Sequence, residues 1–213
     1  MGTARLDAGI GRRVQDEVVG RVVEAARDLA GVPLPAVVKR PFEHGSRGTR
    51  LVRDRRGLRA AGARWLRKGP VLVEELVEGV ELAASVIGNG GRARVLPLIE
   101  VVLAPGELHT EERKWRAGRA APLRAARLPA AVERRVRADV ARAFAALRLR
   151  DYARFDLRLP ADGVPRFLDA NVRPSFEPRT ELRRAGERAG LDAPALLRAI
   201  LRSAARRHGM RVP

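Results

Sequence analysis

The apolar residues of this chain fall into short β-type runs separated by a few helical stripes. Val18, Val19, Val22, Val23, Ala26 and Leu29 recur at helical spacing and predict a helix over 17–29. Residues 1–16 carry no pattern and are expected to form a lead-in without fixed structure. Beyond Pro33 and Pro35, Ala36-Val37-Val38 reads as a short strand ending at Lys39, and Leu51-Val52 as another. Leu58, Ala61, Trp65 and Leu66 share one side of a predicted helix over 58–67, which Gly69-Pro70 stops. A β-type run covers 71–77. A second covers 81–87, turns at Gly88-Asn89-Gly90-Gly91 and returns through 94–102. The stretch 105–122 lacks periodicity and reads as a mobile loop, long enough to suggest a role. Val132, Val136, Val140, Phe144 and Leu147 form the clearest helical stripe, predicting a helix over 129–147. Residues 179–206 read as helix, broken near Gly190 to Pro194.

Between the last two helical segments, DYARFDLRLPADGVPRFLDANVRP reads as two strands joined at Asp162-Gly163, a favoured two-residue reversal. Facing positions then have a constant sum, which sets Asp156 opposite Asp169 and Arg154 opposite Asn171. Residues two apart on a strand share a face. Arg154, Asp156, Asp169 and Asn171 therefore point one way, while Ala153, Phe155, Leu157, Leu168, Ala170 and Val172 supply the buried face. Two carboxylates directly opposed destabilise a sheet unless a cation lies with them. Asp156, Asp169 and the Asn171 amide oxygen are hard ligands suited to magnesium, with manganese as the alternative. A solvated face holding an ordinary Arg154–Asp156 pair is the other reading, and the stretch alone supports both.

Composition narrows the chemistry. The 213 residues are enough for one domain or two small lobes. The absence of cysteine excludes disulfides, a thiolate nucleophile and cysteine metal sites, and His44, His109 and His208 show no metal-ligand spacing. No apolar run reaches membrane-spanning length, and the start lacks a signal-peptide pattern, so a soluble cytoplasmic protein is expected. The net charge of +18 invites a nucleic-acid reading. Its arginines are spread over every segment and aromatics for base stacking are few, which disfavours specific binding to DNA or RNA. Lysine is confined to Lys39, Lys68 and Lys114, so these are candidates for places that need a compact point charge.

Two further stretches could serve a nucleotide. Lys39 to Thr49 contains Glu43, Gly45, Ser46 and Gly48 between two strands, a loop whose amides could close over phosphates. It is not the GxxxxGK[ST] loop, and in isolation an ordinary glycine hairpin is the simpler reading. Glu74, Glu75, Glu78 and Glu81 are four acids in a basic chain. They either cover the solvent side of a strand or recognise hydroxyl and amino groups.

Taken in order, PAVVKRPFEHGSRGT, VLVEELVEGVE, ARFDLRL…FLDANVRP and GLDAPALLRAIL resemble the ATP-grasp superfamily, and within it the D-alanine–D-alanine ligase type. The similarity spans roughly 29–201. It implies an α+β, ATP-grasp fold of two α+β lobes with antiparallel sheets enclosing MgATP. The smaller lobe is expected over 17–81, N-terminally incomplete, and the larger, with the metal site, over 82–206, followed by a basic tail at 207–213. By the same resemblance Lys39, Glu43 and Ser46 would meet ATP near its phosphates. Glu74, Glu75 and the backbone of Leu76 and Val77 would hold adenine, and Glu81 would bind ribose. Lys114 would reach the terminal phosphates, Asp156, Asp169 and Asn171 would bind magnesium, and Arg154 would stabilise charge developing in the reaction.

The implied activity is ATP-dependent ligation of a small carboxylate, an amino acid or peptide, to an amine through an acyl phosphate. A non-catalytic ATP-binding module is the alternative. The family's N-terminal substrate domain has no counterpart here, which implies a partner chain or a part supplied elsewhere. Asp169 stands where the family carries glutamate. Ser175 and Thr180 stand where it carries glycine and serine, in the segment that shapes the substrate site.

Overall fold

The computed structural model describes residues 20–40, 48–104, 106–110, 114 and 120–210. Two compact units result, Met1–Val77 with Gly106–Ala121, and Glu78–Pro105 with Pro122–Pro213.

The first unit opens with a correction. Gly20–Val23 is a strand (β1) and Ala26–Leu29 a short 3-10 turn, where the apolar spacing predicts one helix over 17–29. Adjacent β-branched valines are stiff and favour extended backbone. Val23 is buried while Val22 is 56% exposed, a period of two instead of 3.6. β1 pairs with β4 (Val71–Glu75), β4 with β2 (Ala36–Lys39), and β2 with β3 (Arg50–Val52), all antiparallel. Helix α1 (Arg55–Trp65) starts where the Asp54 carboxylate accepts the Gly57 N–H at 2.6 Å. Its Leu58 and Ala61 bury against Val23, Ala36, Val38, Val71 and Val73, so one sheet face forms the core, while Val37, Lys39 and Glu74 lie on the other. Arg53 donates to the Gly106 carbonyl at 3.3 Å, tying the segment after residue 105 to this unit.

The second unit is a six-stranded sheet in the order β10-β9-β5-β7-β8, with β6 also on β5. Its strands are β5 (Val80–Ile87), β6 (Arg94–Val95), β7 (Ile99–Val101), β8 (Leu123–Ala125), β9 (Tyr152–Leu159) and β10 (Arg166–Asn171). Helix α2 (Ala130–Ala146) lays Val136, Val140 and Phe144 on one face, against Leu82, Ala84, Phe155 and Leu157. Leu147, included in the stripe, falls past the last turn and is exposed. Helices α3 (Glu181–Arg188) and α4 (Ala193–Arg207) cover the other face through Leu182, Ala185, Leu196 and Ile200, packed on Ala83, Ile87 and Ile99. No helix among the described residues is long and apolar enough to cross a membrane.

The β9–β10 hairpin departs from the expected Asp162-Gly163 reversal. The strands stop at Leu159 and resume at Arg166, and the turn is closed by Gly163 N–H to the Pro160 carbonyl at 3.1 Å. Near the turn, Phe167 faces Leu157; beyond a shift at Leu168, Asp169 faces Asp156 and Asn171 faces Arg154. Leu168 is therefore a bulge residue, and Phe167 takes the core position expected of it, packing edge-on against Phe155 with ring centroids 5.6 Å apart. Val172, expected on the buried face, is 62% exposed.

Gly79 connects β4 to β5 at φ +130, and a Cβ there would lie 2.3 Å from the Leu159 carbonyl oxygen. Both the backbone angle and a rigid backbone neighbour exclude a side chain. Gly79→Ala should lower the unfolding free energy by about 2–3 kcal/mol in urea titration. A loss below about 0.5 kcal/mol, the scale of ordinary surface substitutions, would contradict this packing.

Candidate functional site

In the first unit, the sheet face away from α1 carries Lys39 and Glu74. Lys39 lies opposite Leu72 and Val37 opposite Glu74, so the lysine and glutamate are diagonal neighbours on adjacent strands. Their side chains form an ion pair. Two residues assigned to a nucleotide by resemblance are thus in direct contact, 35 positions apart in the chain. Glu75 points the other way and is exposed. The Leu76 N–H donates to the Pro35 carbonyl at 3.3 Å and is thus engaged within the first unit. The Lys114 N–H donates to the Thr110 carbonyl at 3.0 Å, and its side chain is half-buried. Glu43 and Ser46 lie outside the described residues.

In the second unit the chemistry gathers on the sheet face that α3 and α4 partly cover. Across three strands, Ser85 on β5 faces Arg154 on β9, which faces Asn171 on β10; Ala83, Asp156 and Asp169 form the next row. Arg154 is 7% exposed. Its guanidinium grips Asp156 with two bonds, Nε to Oδ1 at 2.7 Å and a terminal nitrogen to Oδ2 at 2.9 Å. The remaining terminal nitrogen donates to Glu181 at 2.9 Å. Burial works against the charged guanidinium. The carboxylates of Asp156 and Glu181, the hydrogen bond to Asp156 and the charge of Asp169 outweigh it, and hold the group above the usual arginine pKa. Arg154 is therefore a fixed positive charge at neutral pH.

Glu181 escapes the sequence reading. At the first position of α3 it looks like an acid placed for the helix dipole. No local pattern announces that it meets an arginine 27 residues earlier.

Asp156 and Glu181 bond one guanidinium, and Asp169 adds its charge. The register sets Asp169 and Asn171 beside Asp156, oxygen ligands of the type a hard divalent cation takes. Among the described residues, no three acidic or histidine side chains are arranged to hold a metal ion. Asp169 is the exposed member; Asn171 Oδ1 accepts the Arg173 N–H at 2.9 Å and keeps a lone pair. The expected ligands Asp156, Asp169 and Asn171 are side by side.

Glu81 is buried, and its carboxylate pairs with Arg158 at 2.9 Å, its direct cross-strand partner. Arg158 also donates to the Gly79 carbonyl at 3.0 Å. The sequence reading places Glu81 but misses Arg158, although the alternation through 154 and 156 continues to it. Any hydroxyl bound by Glu81 shares the carboxylate with this arginine. Removing one partner strands a buried charge, so Arg158→Met should cost about 3–5 kcal/mol. Pairing it with Glu81→Leu should recover much of that loss; equal loss in single and double variants would contradict the pairing.

Ser175 and Thr180 turn inward on their own loop. The Thr180 hydroxyl donates to the carbonyls of Ser175 at 3.1 Å and Glu177 at 2.8 Å. Ser175 Oγ accepts the Glu177 N–H at 3.3 Å. These hydroxyls, expected to meet a substrate, shape the entry to α3 and so the position of Glu181.

Residues 15–202 match the family model described as D-ala D-ala ligase C-terminus. Among curated proteins, a D-alanine–D-alanine ligase of Bordetella petrii is 31% identical over 189 residues, 86% of this chain, and one of Desulforudis audaxviator is 35% identical over 181 residues, 84% of this chain. The chain spans 58% of the length of each. Among solved structures, the Coxiella burnetii D-alanine–D-alanine ligase superposes with a TM-score of 0.77 at 19% identity, covering 93% of this chain and 56% of that one. The Bacillus anthracis ligase complexed with ATP gives 0.71 at 20%, covering 96% of this chain and 67% of that one. At this identity the likeness establishes a shared fold.

Proposed function

This chain belongs to the D-ala D-ala ligase C-terminus family, and on that premise we propose that it carries the ATP- and magnesium-dependent machinery of a carboxylate–amine ligase. The observation that carries the reading is the row of Arg154, Asp156, Asp169 and Asn171 on one sheet face, with Glu181 closing over the arginine. The Lys39–Glu74 pair on the sheet of the first unit supports it. In the reaction a carboxylate oxygen attacks the terminal phosphorus of ATP and ADP departs. An amine nitrogen then displaces phosphate from the acyl phosphate and gives up a proton.

Little nucleophilic or basic help from the protein is needed in such a transfer, and positioning with fixed positive charge carries the acceleration. A chain without cysteine fits that demand. Arg154 is held rigid from two sides, so its guanidinium would meet developing charge without reorganising. Asp156, Asp169 and Asn171 would hold magnesium, which when bound neutralises phosphate oxygens. Lys39 and Lys114 would lie along the phosphates, Glu74 and the Leu76 carbonyl along adenine, and Glu81 with Arg158 at ribose. Glu43 and Ser46 would complete the phosphate contacts, with Ser175 and Thr180 framing the substrate segment.

The substrates we propose are amino acids or short peptides. The test is ADP release from MgATP on adding D-alanine, D-serine and a panel of other amino acids and dipeptides. Ligation predicts release that depends on both substrate and magnesium. ATP binding without release across the panel would favour the second reading, a binding module that needs a partner for chemistry. The self-engaged hydroxyls of Ser175 and Thr180 speak for that reading.

A further inference from the structure

The charge of +18 is not absorbed by the site above. Part of it converges on a cavity of about 430 Å³ in the second unit, beyond the other end of β5. Arg92 enters from the turn between β5 and β6, Arg94 from the start of β6, and Arg202, Arg206 and Arg207 from the last turns of α4. Arg202 has a partner of its own. Asp151 supplies a carboxylate to this cluster and is already engaged. Arg207 donates to it at 2.7 Å and Asn89 at 2.7 Å. Burial opposes its charge, yet those two bonds and the Arg207 charge hold its pKa below the ordinary value. The side chains of Arg92, Arg94 and Arg206 make no hydrogen bond or ion pair with any other described residue.

The floor is built, not incidental. Asn89 bonds Ser203 Oγ at 2.7 Å and receives the Asp151 N–H at 2.9 Å, locking the β5 turn to α4 and to the start of β9. With Ser203 Oγ accepting from Asn89, its own hydrogen is left to donate. Like charges gathered around one concavity repel, and an anion among them relieves that repulsion. Guanidinium forks match phosphoryl oxygens in pairs. The volume suits a small molecule, and no aromatic side chain lines the cavity to stack a base.

We propose that this cavity is a second anion site, separate from the Arg154–Asp156 face, which binds a small ligand carrying two or more phosphoryl groups. Pyrophosphate is the probe, in the presence of EDTA so that metal-dependent binding elsewhere is silent. The chain has two asparagines, Asn89 and Asn171, so selective 15N labelling gives one side-chain amide reporter for each site. Pyrophosphate should shift Asn89 saturably and leave Asn171 in place. The exposed pair Arg202→Gln with Arg206→Gln should weaken binding by about tenfold or more, since each charge-assisted bond is worth about that factor. Asp169→Ala should leave the binding unchanged, while an unmoved Asn171 resonance reports that the double variant is folded. The proposal is overturned if Asn89 does not respond to millimolar pyrophosphate, or if the response survives loss of both arginines. Tighter binding of a short single-stranded DNA with the same arginine dependence would overturn it too, in favour of a nucleic-acid surface.

Discussion

Arg154→Ala should destabilise the second unit by about 3–5 kcal/mol and abolish any phosphoryl transfer. The stability loss follows from what remains. Asp156 would keep a half-buried carboxylate and Glu181 a buried one, both without their cationic partner, and removal of one member of a buried ionic cluster typically costs that much. Arg154→Lys separates structure from chemistry. Lysine keeps a charge but cannot hold Asp156 with two bonds while donating to Glu181 in a fixed plane. It should retain much of the stability and lose about 10²–10³-fold in transfer rate, the scale of one preorganised donor. Urea unfolding and ADP release measure the two effects independently. Full activity in the lysine variant would show that the fork geometry is irrelevant.

Asp169→Ala should reduce magnesium-dependent ATP affinity on the order of a hundredfold or more, because even residues outside the coordination sphere are worth about 10–100-fold. Stability should change little, since Asp169 is exposed. The pattern is the reverse of Arg154→Ala, where stability falls first. Asp169→Glu keeps a carboxylate, one methylene longer, and should preserve most of the affinity. Calorimetric titration of ATP with and without magnesium measures all three proteins, and unchanged affinity in Asp169→Ala would remove this residue from the metal site.

The facing of Asp156 with Asp169 was legible in the sequence through two offsets that cancel. The assumed two-residue turn is in fact a longer connection, which pairs Phe167 with Leu157, one residue out of the predicted register. The bulge at Leu168 adds that residue back before the acids, so the chemistry-bearing row comes out as alternation predicts while Leu168 and Phe167 exchange roles. A bulge carries no marker in a run of apolar residues. Similarly, paired valines fit a helix or a strand over so short a stretch, and only the pairing of β1 with β4 decides between them.

The residues missed share a cause. Glu181 and Arg158 act through partners on other strands or helices, far away in the chain. Arg158 could have been found by extending the period of two along β9, but its pairing with Glu81 requires knowing that β5 and β9 are neighbours. Glu181 could not, because an acid at a helix start has a sufficient local explanation. Lys39 and Glu74 were placed by resemblance, and the sheet order then makes them diagonal neighbours. Local chemistry was legible wherever one strand carried it; contacts that depend on tertiary pairing were not.

On the proposed function, Asp156, Asp169 and Asn171 bind one cation together with ATP. The most direct measurement uses the 15N-asparagine sample with ATP and small amounts of Mn2+ in place of magnesium. The side-chain amide of Asn171 should broaden and vanish at a metal level that leaves Asn89 sharp, and EDTA should restore it. If Asn89 fades first, or both fade together at the same rate, the cation is not held by this face of the sheet.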